Sequence, residues 1–286
     1  TGGEYNSIVK ADADVRAAIC YPDLYEIGMS NNGIRILYDY GNRPEGIACE
    51  RVFAVEADFE RELRINRVPL CTLETFTPLC DLDLLGFNLS HELLYTNMLQ
   101  VLDLGGIPLM RADRRDGDPV IIAGGESVSN PFPVADFVDL FFIGEGERGF
   151  TEILSALAQC KRSGLPRDET MAELGGLEGV LVPAGYSFTY DGLNVSTEGM
   201  KRVAKRVVKE GSMWQASRPP VPSIRVSQER AVVEIARGCF NLCKFCHAGY
   251  CNMPYMACGC DDAAGEIFRQ LENTGYDEVT LNSLST

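Results

Sequence analysis

Between Val15 and about Cys160, short apolar runs alternate with stretches whose apolar residues recur at helical spacing. The runs "VRAAIC" (15–20), "ACERVFA" (48–54), "LLGFNLS" (84–90), "VIIAGG" (120–125) and "VDLFFIG" (138–144) read as strands, with "LCTLE" (70–74) as a further short one. Because they do not alternate polar with apolar, both of their faces are expected to be covered, as in a parallel sheet between helices. The helices fall between and after them, in "NNGIRILYDYG", "ADFERELRINR", "HELLYTNMLQVLDLGG" and "ERGFTEILSALAQCKRSG". Glycine-rich turns close the later strands. The pattern is that of an α/β doubly wound parallel sheet, whose ligands bind beyond the carboxyl ends of the strands.

After Gly164 the rhythm changes. "GVLVPAGYSFTYDGLNV" reads as two strands around Asp191-Gly192, a hairpin signal. The prolines of "SRPPVPSIRV" fit neither helix nor central strand and mark a linker. A second unit opens near Arg230: "RAVVEIARG" as a buried strand, a cysteine-rich loop, "DDAAGEIFRQLENTG" as a helix and "DEVTLNSLS" as another strand. The domain boundaries expected are 1–165, 166–228 and 229–286. One and a half βα units do not close a barrel, so the chain reads as part of something longer.

Composition narrows the function classes. The formal charge of −15, from 41 acidic and 26 basic side chains, opposes nonspecific attraction to phosphate backbones or anionic lipid. No apolar run approaches the ~18 residues of a membrane span, and "TGGEYNSIVK" shows no secretory signal. Against the acidic background, "KRVAKRVVKE" gathers Lys201, Arg202, Lys205, Arg206 and Lys209. It reads as a solvated basic face, with an RNA or anionic-substrate contact as the sharper alternative.

Eleven cysteines in a chain of 286 residues, odd in number and without a signal, argue for a reducing cytoplasm rather than a disulfide framework. Cys20, Cys49, Cys71, Cys80 and Cys160 are scattered among apolar residues and read as small hydrophobes. The chemistry concentrates in "EIARGCFNLCKFCHAGY", where Cys239, Cys243 and Cys246 are spaced by three residues and then two. A structural zinc ion needs four ligands, and Cys251, Cys258, Cys260 or His247 could supply the fourth. A [4Fe–4S] cluster held by three thiolates keeps one iron open.

The C-x3-C-x-Φ-C spacing after "EIARG" at a strand end resembles the cluster loop of radical S-adenosylmethionine (SAM) enzymes. That resemblance implies Cys239, Cys243 and Cys246 as iron ligands and Phe245 near the adenine of SAM. It also implies reductive cleavage of SAM to a 5′-deoxyadenosyl radical, with an electron donor such as flavodoxin or ferredoxin. Cys251, Cys258 and Cys260 are expected to be incidental thiols, an auxiliary cluster being the alternative, and His247 to line the pocket.

Three earlier segments resemble the cobalamin-binding domains fused to radical SAM barrels. Asp23, Tyr25 and Gly28 stand as D-x-Y-x-x-G where those domains have D-x-H-x-x-G. Gly124 and Gly125 sit in "AGGESVSNP", and Gly144 and Glu145 in "VDLFFIGEGERGF". "FNLSHELLYTNMLQVLDLGG" also recurs there, with Ser90 as an expected N-cap and His91 in a surface or packing role. The resemblance implies a flavodoxin-like cobalamin-binding-type domain followed by the start of a partial TIM barrel. Cobalamin would bind there without a histidine ligand, since a phenol is a poor ligand for cobalt, and with cobalamin present the resemblance implies methyl transfer through methylcobalamin. The rival to an enzyme is a structural zinc module that binds a partner or nucleic acid, or an iron–sulfur electron carrier.

Overall fold

A computed structural model describes residues 3–199, 202–210 and 214–285; Lys201 of the basic stretch lies outside them. The first half builds β1 (Val15–Tyr21), α1 (Tyr25–Gly28), α2 (Asn32–Gly41), β2 (Ile47–Phe53), α3 (Ala57–Asn66), β3 (Leu84–Asn88), α4 (Tyr95–Leu104), β4 (Val120–Gly124), β5 (Leu140–Phe142) and α5 (Gly146–Arg162). The strands form one sheet in the order β2-β1-β3-β4-β5, all parallel, in the flavodoxin-like arrangement. α2 packs with α5, and α3 with α4, as expected of helices covering the two faces.

The sheet does not stop with the fifth strand. After α6 (Arg167–Gly175), a two-residue strand β6 (Val180–Leu181) adds antiparallel to β5. The "GVLV" run is therefore a sheet edge rather than half of the hairpin. The hairpin lies just after it, as β7 (Ser187–Asp191) and β8 (Asn194–Glu198) around Gly192.

"LCTLE" forms no strand. It covers the opposite edge of the sheet, where the Leu73 amide donates to the Arg51 carbonyl at 2.9 Å and the Glu74 carboxylate accepts from the Arg51 amide at 2.8 Å. The same carboxylate pairs with the fully buried Arg51 guanidinium at 2.6 Å, and Glu4 pairs with it at 3.1 Å. One side chain thus ends strand addition and neutralises a core cation. Ser90 is not an N-cap, since its hydroxyl hydrogen-bonds the Tyr21 hydroxyl at 2.9 Å. His91 is exposed.

The second unit comprises β9 (Ala231–Glu234), β10 (Ala236–Arg237), α7 (Ala248–Cys251), β11 (Met256–Ala257), α8 (Cys260–Thr274) and β12 (Val279–Asn282). β9 and β12 are parallel with α8 between them, a β-α-β unit. The linker ties it to the first sheet. Trp214 is buried with its indole donating to the Val208 carbonyl at 2.9 Å, and Gln215 donates to the Glu234 carbonyl at 3.0 Å.

Candidate functional site

The carboxyl ends of β3, β4 and β5 face the start of the second unit across a cavity of about 390 Å³. Its floor is apolar, made by Ile19, Ile36, Phe87, Ile122, Phe150 and Ile153, and β9, β10 and β12 close it from the other side with Glu234, Arg237 and Asn282. This is the crevice where an open α/β sheet binds ligands.

Four of the residues singled out in the sequence line this cavity: Gly124, Gly125, Gly144 and Glu145. Two of them are spent on internal packing. Gly125, at φ +107°, has no room for a Cβ, which would stand 2.5 Å from the Leu89 carbonyl oxygen. Gly144, at φ +127°, lets the basic linker run beside β5: a Cβ there would lie 2.5 Å from the Arg206 amide nitrogen. That linker strand is held by Arg206 N–H to the Ile143 carbonyl at 3.0 Å and Glu145 N–H to the Arg206 carbonyl at 3.1 Å. Its basic side chains are partly tied down rather than solvated. Arg206 pairs with Glu152 at 2.9 Å, and the Lys205 ammonium donates to the Cys251 and Met253 carbonyls at 2.8 Å.

Asp23, Tyr25 and Gly28 do not join the other four. The Asp23 carboxylate accepts from the Leu24 amide at 2.7 Å, and Gly28 lies against the ring of Phe53. The Tyr25 hydroxyl donates to Glu4 at 2.8 Å, and its ring meets Phe53 edge-on. Burial first, and the Glu4 carboxylate second, push the Tyr25 phenol well above its ordinary range. A folded state that keeps this proton past the unfolded pKa of about 10 loses stability as pH rises beyond it. Unfolding free energies measured between pH 9 and 11.5 are expected to fall less steeply for Tyr25→Phe than for the native chain.

At the junction itself, Arg237 sits among three carboxylates. It pairs with Glu147, with Glu234 at 3.0 Å and with Glu145 at 3.3 Å, and its guanidinium lies over the Trp214 ring at 5.1 Å. Burial opposes its charge, but the carboxylates outweigh burial and hold it above its ordinary value. Burial pushes the Glu234 carboxyl up, with Arg237 acting against it. Glu147 belongs to the same glycine-rich turn as Gly144 and Glu145, but Arg237 was not marked by its spacing. The available signal was chemical, since the charges in "VVEIARG" lie in or beside a buried strand and require partners.

The cysteine loop starts one residue later. Gly238, at φ +74°, turns the chain where a Cβ would stand 2.5 Å from the Pro254 carbonyl oxygen. Leu242 takes a left-handed φ of +47°, and the Cys246 amide donates to the Cys243 carbonyl at 2.9 Å. Asn241 fastens the loop to the end of the second β-α-β strand by donating to the Ser285 hydroxyl at 2.9 Å. Cys239 and Cys246 are partly exposed, Cys243 is exposed, and all three are free thiols.

Phe245 is 93% exposed. His247 Nε2 lies 2.8 Å from the Cys251 sulfur and 3.0 Å from the Ser129 hydroxyl. Cys258 and Cys260 lie at the entry to α8, and no three metal-binding side chains among the described residues gather around a single-ion site.

With this geometry in view, comparison with known proteins gives the class. The family described as "Radical SAM proteins, N-terminal" matches residues 33–183, a little over half of the chain. The chain belongs to this radical SAM family, a class that in general works with a [4Fe–4S] cluster and SAM. A search of curated proteins gave no match. No helix among the described residues is long and apolar enough to cross a membrane.

Proposed function

We propose that this chain carries the cluster-binding loop of a radical SAM enzyme and that Cys239, Cys243 and Cys246 hold its [4Fe–4S] cluster. The observation that carries the reading is the donor set. Three free thiols share one accessible loop, while the neighbouring imidazole of His247 is engaged by Cys251 and Ser129. Three thiolates for four irons leave one iron for an outside ligand.

When bound, the cluster supplies the electron that cleaves SAM to a 5′-deoxyadenosyl radical. The chain's own residues supply geometry. Gly238 and Leu242 bend the loop, Asn241 anchors it to the second unit, and Arg237 fixes its stem against the first domain. The exposed Phe245 is available to lie against the adenine of SAM. A reduced flavodoxin or ferredoxin would deliver the electron. Eleven unpaired cysteines support a reducing, cytoplasmic setting. Lys205 and Arg206 are occupied within the chain, which lowers the support for RNA as a substrate.

Cobalamin, and with it methyl transfer, is not required by this chemistry. Its support is thin: Tyr25 is tied to Glu4, and Gly125 and Gly144 are needed for the protein backbone packed against them, while Gly124 and Glu145 line the crevice.

Anaerobic reconstitution followed by iron, sulfide and zinc analysis tests the proposal. About four irons and four sulfides per chain are expected for one cubic cluster. One zinc with no sulfide would replace the enzyme reading with a structural zinc module.

A further inference from the structure

The short helix α7 begins two residues after Cys246 and is held by the first domain at both of its ends. A single turn cannot stabilise itself by its own hydrogen bonds, and its last carbonyls have no partner within it. Its place must therefore be set from outside. The third cysteine is coupled to it, because Gly249 of α7 is buried where a Cβ would lie 3.9 Å from the Cys246 sulfur.

At the C-terminal end, the Lys205 ammonium donates to the Cys251 and Met253 carbonyls, each at 2.8 Å. The register of the basic linker puts it there. Arg206 pairs through its backbone with Gly144, just past β5, and successive side chains of an extended chain point to opposite sides. Arg206 turns to Glu152 and Glu178, which leaves Lys205 facing the cysteine loop. At the N-terminal end, His247 Nε2 lies 3.0 Å from the Ser129 hydroxyl, and α7 packs on the turn at Glu126–Ser129. That turn is itself fastened, since the Ser127 hydroxyl and amide both donate to the Leu89 carbonyl, at 2.8 and 3.1 Å.

We propose that Lys205 and Ser129 are positioning residues for the cluster loop, gripping α7 at its two ends so that the first domain fixes where Cys246 stands. The proposal rests on the reading that Cys246 is a cluster ligand, and it gives the first domain a part in that chemistry whatever its crevice binds. Both residues act through α7. A loop correctly placed for only a fraction of the time binds an outside ligand proportionally more weakly.

Hydrogen exchange of the whole chain, metal-free and reconstituted, tests it, together with a SAM titration of the reconstituted chain followed by electron paramagnetic resonance. Peptides spanning 243–253 are expected to exchange about tenfold faster in Lys205→Met and about threefold faster in Ser129→Ala, with the amides of β3 and β4 unchanged. Iron and sulfide are expected to stay at the native level, while half of the spectral shift requires about tenfold and about threefold more SAM, respectively. Lys205→Arg and Ser129→Thr, which keep the donors, are expected to restore both readouts. Ser129 is exposed, so Ser129→Ala decides the question should Lys205→Met fail to fold. The proposal is overturned if neither variant accelerates exchange at 243–253, or if β3 and β4 accelerate equally. It is also overturned if SAM titrates both variants like the native chain, or if the Arg and Thr variants are as defective as Met and Ala. Native iron with unaltered exchange sinks this inference alone. Accelerated exchange in a chain that takes up no iron sinks the cluster reading and leaves the grip on α7 standing.

Discussion

Cys243→Ala is expected to leave the reconstituted chain with essentially no stable cluster, against about four irons and four sulfides for the native sequence. The middle cysteine has no understudy. Its neighbours in the loop, Asn241 and Lys244, offer no thiolate, and Cys251 is hydrogen-bonded to His247. With two thiolates left, two irons would lack protein ligands and the cubic cluster would be open to solvent and oxidation. The exposure of Cys243 makes the outcome easy to interpret, because replacing an exposed side chain alters little packing. Iron, sulfide and the visible absorbance of the cluster should disappear together while the far-UV circular dichroism is unchanged. Full iron and sulfide in Cys243→Ala would remove this residue from the ligand set.

The second large effect is expected at Arg237. Replacing it with Met keeps much of the side-chain volume but leaves Glu145, Glu147 and Glu234 facing one another without their shared cation. Breaking a buried ion pair from one side typically costs about 3–5 kcal/mol, because the remaining charge stays buried. Two of these carboxylates belong to the first domain and one to the second unit, so the loss should appear at their junction. Urea denaturation of Arg237→Met should show a lower midpoint or a separate early transition. A Glu147→Gln background should soften the penalty by removing one of the stranded charges. An unchanged denaturation curve would mean that Arg237 does not join the two units.

The sheet was legible because its strands are short, mostly apolar runs bounded by turns, a pattern with few other solutions. "VIIAGG" and "LLGFNLS" appear as β4 and β3 almost residue for residue. What failed to show in the sequence was whatever depended on a distant partner. "LCTLE" carries strand-forming residues, yet it covers the sheet edge because Glu74 is claimed by Arg51. α6 is weakly amphipathic and precedes a two-residue strand, so neither has a period long enough to detect.

The site divides in the same way. The cysteine spacing is local and was readable, and Gly124, Gly125, Gly144 and Glu145 do meet at one cavity. Why Gly144 is glycine could not be read from its own turn, since the reason is the backbone of Arg206, more than sixty residues later. The Asp23, Tyr25 and Gly28 motif matched in spacing, but its tyrosine turned inward to a glutamate that only the folded N-terminal segment brings near. The charge cluster at Arg237 was hidden for the same reason.

If the loop at Cys239, Cys243 and Cys246 holds a cluster with one iron open to SAM, SAM must perturb that cluster. Electron paramagnetic resonance of the reduced, reconstituted chain, recorded before and after addition of SAM, tests it most directly. The expected result is a reduced [4Fe–4S] signal whose g-values shift when SAM is added, and the absence of that signal in Cys243→Ala. A reduced cluster whose spectrum is indifferent to SAM would contradict it and would make the loop an electron-carrying or structural centre.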